Sequence, residues 1–132
     1  MADASRVGSL LGGQLGGPGG DFVLVEWSDA GDSGRGWIAP LHVHHHDDEA
    51  WYVLDGVLRF RIGDDVFELG AGGAAMAPKG VPHAYGNARR GEPARYLLVL
   101  TPRIRALVEA LHAPGAGDYA AIFRAHDSEL LS

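Results

Sequence analysis

Four of the chain's seven histidines, His42, His44, His45 and His46, fall within five positions. The first two belong to Trp37–His44 (WIAPLHVH), whose apolar and aromatic character predicts a strand. Residues two apart in a strand leave the same face, so His42 and His44 point together. Glu49 follows past a polar HHDD link, at the start of the next predicted strand, and His83 opens a later one after Pro78-Lys79-Gly80-Val81-Pro82. Three neutral imidazoles and one carboxylate form a mixed nitrogen and oxygen donor set. Such a set suits a single divalent transition metal per chain: Fe, Ni, Mn, Co, Cu or Zn. The sequence contains no cysteine, which removes thiolate ligands and disfavours a purely structural zinc site.

Those side chains need a scaffold that brings distant strands to one point. Twenty glycines and seven prolines punctuate short apolar runs, the pattern of an all-β sandwich or barrel. Strands are predicted at Asp21–Trp27, Trp37–His44, Ala50–Leu54, Val57–Ile62, Val66–Leu69, Ala74–Ala77, His83–Tyr85 and Arg95–Thr101. Pro40 inside the second suggests an edge position or a bulge. Asp55-Gly56 and Gly63-Asp64-Asp65 read as hairpin turns, and Ser28–Gly36 as a polar break. Residues 1–20, with the run GGQLGGPGG, read as a flexible glycine-rich lead-in. Residues 21–101 then form the barrel. After Pro102, Ile104, Leu107, Val108 and Leu111 recur at helical spacing, and Asp118–Leu131 reads as one or two short helical turns. The predicted architecture is an antiparallel β-barrel or jelly roll, with a short C-terminal helical tail (102–132) packed on it.

Composition removes several function classes. A chain of 132 residues has room for one domain, and 46% hydrophobic with 21% charged residues is ordinary folded composition. The net charge of -6 argues against nucleic-acid or anionic-membrane binding, both of which need a basic surface. No apolar run has the ~20 residues of a membrane span, and the first residues lack the pattern of a secretory leader. Cysteine's absence excludes disulfides, iron–sulfur clusters and cysteine nucleophiles. A cytoplasmic protein without a membrane or nucleic-acid partner is expected.

Other eye-catching residues have plainer readings. His45 and His46 fit a solvated link with Asp47 and Asp48, and His112 and His126 fit surface or capping positions in the tail. Arg59 and Arg61 alternate opposite the apolar face of their strand, so they point outward, and Asn87 reads as a turn-former. Trp51 and Val53 share the face of Glu49, Tyr85 that of His83, and Phe60 faces the same interior. Trp51, Val53, Phe60 and Tyr85 are therefore the expected substrate pocket, apolar and aromatic with few fixed charges. Such a pocket suits a flat or apolar organic molecule better than a phosphorylated sugar, which would need converging Arg and Lys.

The spacing resembles a known family. Gly36, His42, His44, Glu49 and Gly56 fit the first cupin motif, G-x5-H-x-H-x4-E-x6-G. Gly72, Pro78, Gly80, His83 and Asn87 fit the second, G-x5-P-x-G-x2-H-x3-N. The resemblance implies a barrel with an internal metal held by His42, His44, Glu49 and His83. The four-residue spacing before Glu49 resembles that of the quercetinase-like members. That likeness implies a metal-dependent dioxygenase acting on a small aromatic or enolisable molecule and O2, with Glu49 as ligand and base. Tyr85 is the one further acid–base candidate. The superfamily also implies two alternatives, a non-oxygenase isomerase or cyclase and a non-catalytic small-molecule binder. Single-domain members pair through barrel strands, which implies a homodimer.

Overall fold

A computed structural model describes residues 6–31 and 36–131. Eight strands come first: β1 (Val23–Asp29), β2 (Ala39–His44), β3 (Glu49–Asp55), β4 (Leu58–Ile62), β5 (Asp65–Leu69), β6 (Ala74–Ala77), β7 (His83–Asn87) and β8 (Ala94–Leu100). Two helices, α1 (Pro102–His112) and α2 (Tyr119–Ala125), and a last strand, β9 (Ser128–Leu130), follow. The strands form two antiparallel sheets, ordered β1-β8-β3-β6 and β5-β4-β7-β2-β9. This is the expected all-β jelly roll.

The period-two alternation sets the interior. Tyr96, Leu98 and Leu100 on β8, Trp51 and Val53 on β3, and Leu58 and Phe60 on β4 are buried in one core between the sheets. Pro40 does sit at an irregularity, because the β2–β7 register shifts between Ala39 and His42. The Gly63-Asp64 turn joins paired strands, with Ile62 opposite Asp65 and φ of 61° at Gly63. Asp55-Gly56 behaves differently. β3 and β4 lie in different sheets, so this turn is a corner between sheets and not a hairpin. Gly56 takes φ of 77°, and a Cβ there would sit 2.4 Å from the Pro93 carbonyl oxygen.

Both ends of the chain depart from the sequence reading. Part of the lead-in runs along β1: Leu15 and Leu24 exchange two backbone hydrogen bonds of 2.9 Å, and Leu11 bridges to Glu26. Gln14 also accepts a hydrogen bond from Arg105 on α1, at 2.9 Å. Residues 1–5 of the lead-in and 32–35 of the Ser28–Gly36 break lie outside the described residues. At the other end, α1 starts where Thr101 Oγ1 accepts from the Ile104 amide and Pro102 occupies the first turn, as helix chemistry favours. Asp118–Leu131, read as one or two short helical turns, forms α2 and then ends in an unexpected strand, β9, which pairs His42–Leu130, Val43–Glu129 and His44–Ser128. Local apolar spacing in so short a stretch fits helix and strand alike, and the open edge of β2 decides between them. No helix among the described residues is long and apolar enough to cross a membrane.

Candidate metal centre

β2 carries His42 and His44, β7 begins with His83 directly opposite His42, and β3 begins with Glu49. One ligand atom from each of these four buried residues lies within 4.8 Å of the others. The imidazole centroids of His42, His44 and His83 are 4.3–5.2 Å apart. Glu49 Oε1 is 3.2 Å from Nε2 of both His44 and His83. Local backbone contacts fix these positions, since the Gly80 amide donates to the His44 carbonyl at 2.7 Å and joins the Pro78–Gly80 turn to β2.

The far side of each ring explains which nitrogen faces inward. His42 Nδ1–H donates to the Pro40 carbonyl at 2.6 Å and His83 Nδ1–H to the Val81 carbonyl at 2.9 Å. A carbonyl can only accept, so these bonds require hydrogen on Nδ1. His44 Nδ1 lies 2.8 Å from the Ser128 hydroxyl. Three Nε2 atoms are thus directed at the same small volume as a carboxylate. In neutral rings those atoms are lone pairs, and lone pairs facing an anion in a buried site repel unless a cation lies among them. The donor set therefore fits a divalent transition metal of the nitrogen and oxygen class.

The electrostatics agree. Burial, with His83 and His44 close by, lowers His42 to about 3, which keeps its ring neutral and able to donate a lone pair. Burial pushes Glu49 up, but the close approach of His44 and His83, each 3.2 Å from its carboxylate, more than offsets this and holds it at about 2. Tyr85 is raised well above its ordinary value by burial and by Tyr96, whose hydroxyl is 3.1 Å away. It is a neutral phenol that can donate a hydrogen bond, not a base.

A cavity of about 500 Å³ opens from the cluster. His42, His44 and Glu49 form part of its wall, with Tyr85, Tyr96 and Leu98 from the sheets. Ile104, Leu107, Phe123 and Leu130 from the tail close the other side. Of the four residues expected to form the pocket, Tyr85 lines this cavity. Trp51, Val53 and Phe60 do not: they are fully buried in the core, where Trp51 packs at 5.3 Å from Phe60 and 5.7 Å from His83. Their inward-facing positions placed them inside the barrel, but the tail helices draw the cavity toward β1, β2 and β8.

Sequence reasoning missed the tail's contribution. The helical period of Ile104, Leu107 and Val108 was visible, but not the surface it covers. Ser128 gave no signal at all. His112 is exposed in the last turn of α1, where its Nδ1–H donates to the Val108 carbonyl at 2.8 Å, in keeping with the surface or capping reading, and it also lines the cavity beside Trp27, at 6.4 Å between rings. His45 and His46 stay exposed and out of the cluster; they pair with Glu129 and Asp127. Asp47 is not solvated as expected but buried, 3.5 Å from Arg103. Arg59 packs at 4.3 Å over the Trp37 ring and donates to the Gly36 carbonyl. Asn87 holds a turn, donating to Asp29 and the Glu92 carbonyl.

A stretch of 52 residues is 40% identical to quercetin 2,3-dioxygenase from Bacillus subtilis (strain 168), covering 39% of this chain and 15% of that enzyme. This chain therefore matches well under two thirds of that relative's length. An uncharacterized protein with a double-stranded β-helix domain from Klebsiella pneumoniae is 31% identical, over 62% of this chain and 68% of that one, with a TM-score of 0.50. A polyketide cyclase from Streptomyces resistomycificus is 28% identical over 62% of this chain and 55% of that one, with a TM-score of 0.50. A cupin domain from Schizosaccharomyces pombe shares the fold alone, at 14% identity over 80% of this chain and 70% of that one, with a TM-score of 0.56. The family model described as cupin domain matches residues 34–100, the span that holds both histidine motifs and all four clustered side chains, and the chain belongs to the cupin family.

Proposed function

We propose that this cupin is a metal-dependent dioxygenase acting on a small aromatic or enolisable substrate, with O2 as co-substrate. The observation that carries the reading is the make-up of the cavity. His42, His44 and Glu49 stand at one end, the remaining wall is mainly apolar and aromatic, and no Lys or Arg is among the described lining residues. A phosphorylated or strongly anionic substrate would leave its charge unpaired there. A flat apolar molecule with one ionisable hydroxyl fits.

His42, His44, Glu49 and His83 would hold the ion. Bound there, a divalent transition metal supplies Lewis acidity that orients and acidifies a substrate hydroxyl. Glu49, kept ionised by its two imidazole neighbours, is placed to accept the hydroxyl proton. Tyr85 stays protonated and presents a phenol to the cavity wall as a hydrogen-bond donor. Leu98, Ile104, Leu107 and Phe123 exclude water around the ring of the substrate. The similarity to part of a quercetin dioxygenase supports this reading.

The polyketide cyclase likeness, which extends over more of this chain, favours a second reading, a non-oxygenase cyclase or isomerase using the same ligands. Metal analysis of the purified protein, then oxygen-electrode assays with flavonols, catechols and 1,3-diketones, separates the two. O2 uptake dependent on Fe, Ni, Co or Mn supports the dioxygenase; turnover without O2 uptake rejects it. Glu49→Gln should lower activity roughly 10^2–10^4-fold even at full metal loading if Glu49 is the base. Near-normal turnover in that loaded variant would reject the base role. A homodimer belongs to the reading as well. Tyr52 and Met76, both exposed on the outer face of β3 and β6, support it, and sedimentation equilibrium tests it.

A further inference from the structure

The C-terminal strand β9 lies outside the stretch that the cupin-domain model matches, yet it reaches the metal cluster. Its first residue, Ser128, is the ladder partner of His44 and is 2% exposed. Partners across a ladder point to the same face, so the Ser128 hydroxyl meets the His44 ring at 2.8 Å from Nδ1. The same hydroxyl donates to the His126 carbonyl at 3.1 Å. A serine hydroxyl has one hydrogen, and here it is committed to His126. Toward His44 the oxygen can only accept, so His44 Nδ1 must carry hydrogen and Nε2 is left as the ligand atom.

What holds Ser128 in place is equally specific. His126 caps α2, and its own Nδ1–H donates to the Ile122 carbonyl at 2.8 Å. Asp127 then turns the chain with φ of 56°, and its carbonyl accepts from the His45 amide at 3.1 Å. Leu131 closes the strand by donating to the Leu41 carbonyl at 2.9 Å. The end of α2, Ser128 and His44 form one hydrogen-bonded chain. His42 and His83 receive the corresponding service from carbonyls on their own loops, two residues away in sequence. His44 alone among the three depends on a residue from the tail.

From this we infer that Ser128 is a positioning residue for the metal centre, fixing the tautomer and ring orientation of His44. The inference rests on the metal reading given above. It makes the tail part of the metal-binding unit, in addition to its role as the wall of the cavity. Outer partners of metal-ligating histidines typically contribute 10–100-fold to metal affinity. Ser128→Ala removes the acceptor and leaves Nδ1–H buried without a partner, so a loss in that range is expected.

The test is a double-mutant cycle read as metal affinity, using Co2+ alone in competition with a chelator. The wild type, Ser128→Ala, His44→Ala and the double variant are compared, with thermal melts of the metal-free proteins alongside. If Ser128 acts through His44, Ser128→Ala weakens Co2+ binding roughly 10–100-fold in the wild-type background and leaves affinity unchanged in the His44→Ala background. Equal losses in both backgrounds, or no loss in either, would overturn the positioning role. Failure of the wild type itself to bind Co2+ would instead overturn the metal reading, and the positioning role of Ser128 with it.

Discussion

His42 gives the metal-free protein a predictable weakness to acid. Its folded value is lowered to about 3, with burial the main cause and the neighbouring His83 and His44 adding to it. In the unfolded chain the ring titrates near its ordinary value of 6.5. Between these values the unfolded state binds a proton that the folded state refuses, so stability falls as pH falls. At about pH 4.5 the unfolded ring lies about two pH units below its titration point while the folded ring is still neutral. At about 1.4 kcal/mol per unit this amounts to a loss of about 3 kcal/mol relative to pH 8. Glu49 adds little at that point. Its folded value of about 2 lies below the ordinary 4.5, so its contribution is retained above about 4.5 and lost below it. The assay is urea unfolding of chelator-treated protein at pH 8, 6 and 4.5, for the wild type and for His42→Asn. The asparagine keeps a donor for the Pro40 carbonyl but does not titrate. The variant should start less stable at pH 8 and lose about 3 kcal/mol less on acidification. Parallel pH profiles for the two proteins would refute the reasoning, because the acid sensitivity would then arise elsewhere.

Two substitutions test the frame around the site. Gly86 on β7 lies so close to the preceding loop that a Cβ would stand 2.2 Å from the Gly36 carbonyl oxygen and 2.9 Å from Trp37 Cα. Gly86→Ala should therefore cost at least about 1–3 kcal/mol by forcing backbone apart, read as a lowered urea midpoint. An unchanged midpoint would mean the two segments separate freely. Phe123, 6% exposed and edge-on to His42 at 5.5 Å, closes the cavity from α2. Phe123→Ala should destabilise the fold by about 3–5 kcal/mol and raise KM, while full metal loading is retained because no ligand is lost. Loss of metal in that folded variant would show that the ring holds His42 in place.

Much of the candidate centre was legible because its information is local. His42-x-His44 needs only the two-residue period of a strand to share a face, and Glu49 needs only to begin the next strand. His83, 34 residues beyond Glu49, was legible as the opening of a later strand after Pro78–Pro82, and the resemblance of Gly72–Asn87 to a family motif picks the same residue. The strands were legible for the same reason: alternation along β3, β4 and β8 reports which side chains face inward without reference to any partner. The Asp55-Gly56 turn shows the limit. Its dipeptide announces a reversal of direction, but whether the reversed strand pairs with its predecessor or crosses to the other sheet depends on β7 and β8, which lie outside that window.

Tertiary structure decided the rest through contacts between segments far apart in the chain. Trp51, Val53 and Phe60 carry the inward pattern of a pocket, but inward is also the pattern of a core, and only the packing of α1 and α2 against the sheets shows where space remains. The end of the chain has too few residues for its own propensity to choose between helix and strand. The free edge of β2 chooses strand, since backbone groups beside a buried site need partners. That choice sets Ser128 against His44 across 84 positions of sequence. Residue types and spacing determined which atoms could bind a metal; the closing of the tail over β2 determined the shape of the cavity beside them and which nitrogen of His44 faces it.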